Sequence, residues 1–220
     1  MVNDTETFGI DPAASQPERA LALSYAPVAA RDGVAAAFAL DATLAKLALG
    51  TREAMVAQLR LTWWYEALIA LNGGVVPPQP ILRALADAGA DGRALAEVAS
   101  GWERLLSAPG EAELMAFAAE RGALFRETAR LDGAGDDVAA AGQGWALADL
   151  ATVTADAALA GRARRLAAPL LAEAGAHRWS RAGRFLGGLV HVARADLDAA
   201  RPAGSPARVG RLAWHRLTGR

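Results

Sequence analysis

Nowhere in its 220 residues does this chain run an alternating stretch of Val, Ile and Thr, while alanine recurs throughout and apolar residues make up 53%. Abundant Ala with few β-branched residues tilts the summed propensity towards helix almost everywhere. The expected fold class is therefore all-α. A chain this long and this apolar can bury a substantial core within one unit. The sequence predicts a single helical domain over 15–220 behind a flexible tail, 1–14.

Punctuation residues divide the chain. Ser15-Gln16-Pro17-Glu18 has the form of a capping box and starts the first helix, which carries Leu21, Leu23, Tyr25 and Val28 and is bent or ended by Pro27. A second helix runs from Asp32 to Leu49, with Phe38, Leu40, Leu44 and Leu47 at helical spacing and Gly50 as its stop. Thr51 caps a third, which reaches Leu71. After the Asn72–Pro78 break, helices are expected at Pro80–Ala88, Gly92–Leu106, Glu111–Leu131, Val138–Leu159, Arg164–Glu173 and Arg178–Leu197. Asp136 is placed to cap the helix at Val138. A short basic helix through Trp214 closes the chain.

The absence of cysteine removes disulfides, thiolate nucleophiles and zinc-thiolate sites. The polar, acidic opening MVNDTETFGIDPAAS does not read as a secretory signal, and no apolar run reaches the length of a membrane span without a charge or a break. A cytoplasmic protein, soluble or peripheral to the inner face of a membrane, is expected. Charge is unevenly spread: 1–160 hold 11 basic and 21 acidic residues, whereas 161–220 hold 12 basic and 3 acidic. All the basic residues of that last quarter are Arg, which pairs bidentately with carboxylate or phosphate. The cationic end can pair with the acidic part of the chain, or dock on anionic lipid or an acidic protein partner. Nucleic acid is the disfavoured partner.

Ser24-Tyr25, Arg31 and Phe38-Ala39-Leu40, followed by Gln58-Leu59-Arg60-Leu61-Thr62-Trp63-Trp64-Tyr65-Glu66-Ala67-Leu68, resemble the first core helices of the squalene/phytoene synthase family. The second block looks like that family's W-R-E-x-L helix, and it is similar to a divergent branch that includes a mitochondrial assembly factor for respiratory complex I. The resemblance implies an isoprenoid-synthase-like helical bundle around a central cavity. In the family an aspartate-rich helix holds Mg²⁺ against a prenyl diphosphate, because hard oxygen ligands neutralise the leaving pyrophosphate. Here the acidic positions fall on Ala45, Lys46 and Leu49, none of which ligates magnesium. Lys46 retains the capacity to contact a phosphate.

The family's second aspartate motif, counted back from Ala168-Pro169, falls on Asp149, Thr152 and Asp156. Their i, i+3, i+7 spacing sets them on one helical face with the aspartates about 10 Å apart. Downstream, Gly161-Arg162 through Pro169-Leu170-Leu171 to Gly175 resembles the family's G-R-x-Y-L-P passage without its tyrosine. If the chain is active, Asp149 and Asp156 are the catalytic and Mg²⁺-holding candidates, and Arg31, Asp41, Arg60 and Thr152 the diphosphate-binding ones. Otherwise no cofactor is expected. A salt bridge from Asp156 to Arg162–Arg165 is the structural alternative, as is wedging of core helices by Trp63 and Trp64 with Leu59, Leu68 and Leu71.

His177, His191 and His215 fit no metal-ligand pattern, and His191 reads as a core histidine with a backbone partner. Gly142-Gln143-Gly144-Trp145 lacks the preceding strand of a dinucleotide fingerprint. Arg178, Arg181 and Arg184 at three-residue steps, beside Trp179 and Phe185, form one basic helix face that either is solvated or rests on an anionic surface. Three functions stay open. The chain is a family-like assembly or interaction protein without prenyltransferase activity, a Mg²⁺-dependent prenyltransferase on prenyl diphosphates, or an isoprenoid-binding module.

Overall fold

A computed structural model describes residues 17–51, 53–198 and 202–220, and every regular element among them is helical. The all-α expectation holds. The 1–14 tail and the Ser15 half of the capping box lie outside the described residues. Helix α1 is Pro17–Leu23, α2 Arg31–Gly50, α3 Ala54–Leu71, α4 Pro80–Asp87 and α5 Gly92–Glu103, with short 3₁₀ turns at Val28–Ala30 and Arg104–Leu106. Gln79 and Asp91 cap α4 and α5, accepting from Leu82 N at 3.1 Å and Arg93 N at 2.9 Å. Thr51 ends α2, and the N-cap of α3 is Glu53, without a side-chain cap bond.

The second half is cut more finely than periodicity suggested. The expected Glu111–Leu131 helix is two, α6 Glu111–Arg121 and α7 Ala123–Asp132, jointed at Gly122. A Cβ on Gly122 would lie 2.9 Å from Ala118 O, and one on Gly142 would lie 2.9 Å from Gly122 O. Both are closer than real Cβ contacts allow, so the joint depends on two glycines meeting. The expected Val138–Leu159 helix stops at Val153: α8 is Ala139–Val153 and α9 Ala157–Ala176. Asp156 turns the chain, its carboxylate accepting from Ala158 N at 2.8 Å and Leu159 N at 3.1 Å as the N-cap of α9. Asp137 rather than Asp136 binds the start of α8, accepting from Ala139 N at 3.1 Å.

Asp136 accepts from Ser180 N at 2.8 Å and Ser180 Oγ at 2.6 Å, which holds 177–183 out of helix. Helix α10 is therefore Arg184–Leu197 and α11 Pro206–Thr218. Arg178, Arg181 and Arg184 consequently share no helix face, and Trp179 is buried.

The core gathers around α8, which packs against α6, α7, α9 and α10. The stretch Val28–Gly50, 23 residues of hydropathy 1.4, is long and apolar enough to cross a membrane by length and composition. In the bundle its helix α2 lies against α3, α4, α5 and α7, with Val34, Leu40 and Leu44 buried. Helix α3 is apolar nearly all round but is packed chiefly on α5. Trp64 and Leu68 face inward as expected, while Met55, Leu59 and Trp63, one turn apart, are 74%, 66% and 47% exposed. Trp63 and Leu59 are thus surface residues and do not wedge the core.

Candidate functional site

Two of the sequence candidates, Asp41 on α2 and Asp149 on α8, meet at the middle of the bundle, and what joins them is Arg121. This arginine is the last residue of α6 and only 1% exposed. The Gly122 joint and Gly101, where a Cβ would sit 3.1 Å from Arg121 N, let α5, α6 and α8 close around it. Arg121 Nε donates to Asp41 Oδ1 at 2.9 Å, Nη2 donates to Asp41 Oδ2 at 2.6 Å and also to Asp149 Oδ2, and Nη1 donates to Ala146 O at 3.0 Å. Trp102 Nε1 donates to Asp41 Oδ1 at 2.8 Å. Arg19 of α1 reaches the other oxygen of Asp149.

The guanidinium is also stacked. Its Cζ lies 4.4 Å from the ring centroid of Trp102 and 4.4 Å from that of Trp145. Phe38 and Phe125 pack on Trp145 in turn, with centroids 5.5 Å and 5.2 Å away. Two arginines and two aspartates thus form a neutral quartet inside an aromatic box, where isolated charges would be costly and paired, hydrogen-bonded ones are tolerated. Burial pushes the Asp149 carboxyl up, but Arg19 and Arg121 outweigh it and hold it down at about 2. Burial pulls the Arg121 guanidinium down, and Asp41 and Asp149 more than restore it, so its pKa is raised. Asp149 and Arg121 are therefore both charged at neutral pH.

The donor set does not fit magnesium. Both carboxylates already accept from guanidinium groups through each of their oxygens, and an incoming Mg²⁺ would have to displace two positive charges to reach two ligands. Among the described residues no three His, Cys, Asp or Glu side chains cluster as a metal site. Helix N-capping, rather than ligation or pairing with Arg162–Arg165, accounts for Asp156, and Arg162 instead donates to Pro109 O at 3.2 Å. Thr152 is exposed and its hydroxyl donates to Asp149 O in its own helix at 2.8 Å. Arg31 donates to Ser24 O at 3.0 Å, tying the Ser24-Tyr25 turn to the head of α2. Arg60 and Lys46 are exposed on α3 and α2.

Two further buried polar sites lack such partners. Among the described residues, neither carboxylate oxygen of Asp132, at the end of α7, has a hydrogen-bond partner, nor does Thr128 Oγ1 one turn earlier. Burial pushes the Asp132 carboxyl up to about 7. His191 of α10 and His215 of α11 meet edge to face with centroids 4.7 Å apart. Burial, then the neighbouring His215, hold His191 down at about 3, and burial also lowers His215. The backbone contact expected of His191 belongs to His215, whose Nε2 is 3.0 Å from Arg184 O, while His191 Nε2 has no partner among the described residues.

Sequence reasoning named Asp41 and Asp149 but missed Arg121, Trp102 and Arg19. The available signal was an arginine directly before the only glycine in an otherwise helical run. The squalene/phytoene synthase family model matches residues 13–118, and over that stretch the chain is similar to that family. Arg19, Asp41 and Trp102 lie within the match, whereas Arg121 and Asp149 lie beyond it. No curated protein and no solved structure matches the chain.

Proposed function

We propose that this squalene/phytoene synthase-like bundle is an assembly or interaction protein that carries out no head-to-head prenyl transfer, working in the cytoplasm at the inner face of a membrane. Respiratory complex I is the assembly to which the resemblance of the third helix points. The observation that carries the reading is the closure of Asp41 and Asp149 on Arg121. A prenyl diphosphate brings negative charge and needs divalent cations to leave, yet the two interior carboxylates are consumed by internal guanidinium groups. The outward face of α3 supports the interaction half. Met55, Leu59 and Trp63 form an exposed apolar stripe bordered by Arg60, Glu53 and Glu66, a mixture of signs that suits a protein surface better than an anionic bilayer.

Calorimetric titration with farnesyl and geranylgeranyl diphosphate, with and without Mg²⁺, tests the first half. No magnesium-dependent heat is expected, and a magnesium-dependent isotherm followed by product formation would overturn the reading. For the second half, cells lacking the chain are expected to show less fully assembled complex I on native gels. The loss should be restored by the intact chain and not by the L59R/W63R double variant. Unchanged assembly in those cells removes complex I as the partner.

A further inference from the structure

Helix α11 is built the wrong way round for a helix that ends in water. Its inward face is Arg208, Leu212 and His215, all buried, and Arg208 is held there by ion pairs to Glu18 and Asp196. At 100° per residue, the opposite face is made by Val209, Gly210, Ala213, Trp214 and Leu217. Val209 is 40% exposed, Trp214 56% and Leu217 77%. Arg211 and Arg216 flank this apolar strip on its two sides, and Arg220 follows it. The segment 202–220 contains no Asp or Glu. None of Arg178, Arg181, Arg211, Arg216 and Arg220 is in a carboxylate ion pair among the described residues, and all five are exposed.

The helix is held firmly enough to present that face. Trp179 N donates to Gly219 O at 2.8 Å, Arg178 Nε donates to Thr218 O at 3.0 Å, and His215 binds Arg184 O. Arg216 stacks on Tyr25 with its Cζ 5.1 Å from the ring centroid. An apolar strip with an indole at its edge and cations of one sign on both sides matches the boundary of a bilayer, where acyl chains meet anionic headgroups.

We propose that α11 is a lipid-docking element, seating Trp214, Leu217 and Val209 in the interface of a bilayer while Arg211, Arg216 and Arg220 contact anionic phospholipid headgroups. The surface is separate from the α3 stripe and does not depend on the interior quartet. Charge decides between lipid and protein here: α3 is bordered by both signs, α11 by arginine alone.

The test is co-sedimentation of the full chain with vesicles of pure phosphatidylcholine and of phosphatidylcholine containing phosphatidylserine. Binding is expected to the phosphatidylserine vesicles, weakening as salt is raised. R211Q/R220Q should lower the affinity about thirtyfold, at about fivefold per surface arginine. W214S/L217S should abolish sedimentation while leaving the thermal unfolding midpoint near that of the parent, since both side chains stand in solvent. No binding to phosphatidylserine vesicles overturns the proposal, as does binding unchanged by either double variant. Concentration-dependent dimerisation removed by W214S/L217S, without vesicle binding, overturns it in favour of a second copy of this chain.

Discussion

Asp149 and Asp132 are two buried aspartates, 5% and 7% exposed, and they have opposite chemistry. Asp149 faces two guanidinium groups and is held down at about 2, whereas Asp132 has no ion pair among the described residues and is pushed up to about 7. Burial raises both, so the opposite outcomes come from the guanidinium partners of Asp149. The interior of this bundle tolerates charge at one place because α5, α6 and α8 were brought close enough to surround Arg121. At the end of α7, where a negative charge also opposes the helix dipole, no cation was supplied.

The largest expected effect breaks the satisfied side of this pair. R121A leaves Asp41 and Asp149 facing each other without their shared cation and should cost about 3–5 kcal/mol in a denaturant titration. R121M/D41N/D149N removes charge from all three and should recover most of that loss, because neutral packing replaces ion pairing. Equal destabilisation of the single and triple variants would make Arg121 a packing residue rather than the holder of two carboxylates.

Next in size is D149N. A carboxyl whose folded pKa is depressed stabilises the protein above its unfolded pKa near 3.8 and loses that contribution as pH falls through about 2. The substitution should therefore cost about 2 kcal/mol at pH 7 and close to nothing at pH 2. A loss independent of pH would contradict the ion-pair account.

D132N acts on the unsatisfied side with the opposite sign. A carboxyl with a raised folded pKa contributes below its unfolded pKa, and that contribution is lost as pH rises through about 7. D132N should therefore stabilise the protein at pH 8, by roughly 1–2 kcal/mol after discounting the shift for solvent screening, and be neutral at pH 3. Destabilisation at pH 8 would mean that Asp132 has a partner.

The smallest effect is on the shape of the pH profile. His191, held down at about 3, contributes above its unfolded pKa near 6.5 and loses that as pH falls. Between about pH 4 and 6.5 it opposes Asp132, and the likewise lowered His215 acts with it, so Asp132 offsets much of the rise that the two histidines would give the parent there. D132N should uncover a rise of stability with pH in the same window, read from thermal midpoints. A flat D132N profile would show that His191 is not buried neutral.

Much of the fold was legible in the sequence because Gly, Pro and alanine richness act locally. The limits of α2 to α5 agree with the expected ones to within a few residues. The errors came where a side chain overrode periodicity. Asp156 capped α9 and so ended α8, Asp136 captured Ser180 and so shortened α10, and Gly122 met Gly142 and so divided one expected helix into α6 and α7. The site followed the same division. Asp41 and Asp149 could be named from spacing and resemblance, but Arg121 lies 80 residues from one and 28 from the other. No local pattern ties an arginine to carboxylates so distant. The exposed strip on α3 was hidden for a related reason, since an apolar helix reads as core whichever side is covered, whereas α11 was read only as a basic helix.

The measurement that tests the account most directly is a pH titration of the Asp149 side-chain carbon resonance in aspartate-labelled protein, with and without Mg²⁺. Asp149 is expected to stay ionised from pH 7 down to pH 3, with a resonance that does not move with magnesium. Titration near the ordinary aspartate value of about 3.9, or a magnesium-dependent shift at neutral pH, would contradict the closure of this carboxylate on Arg121.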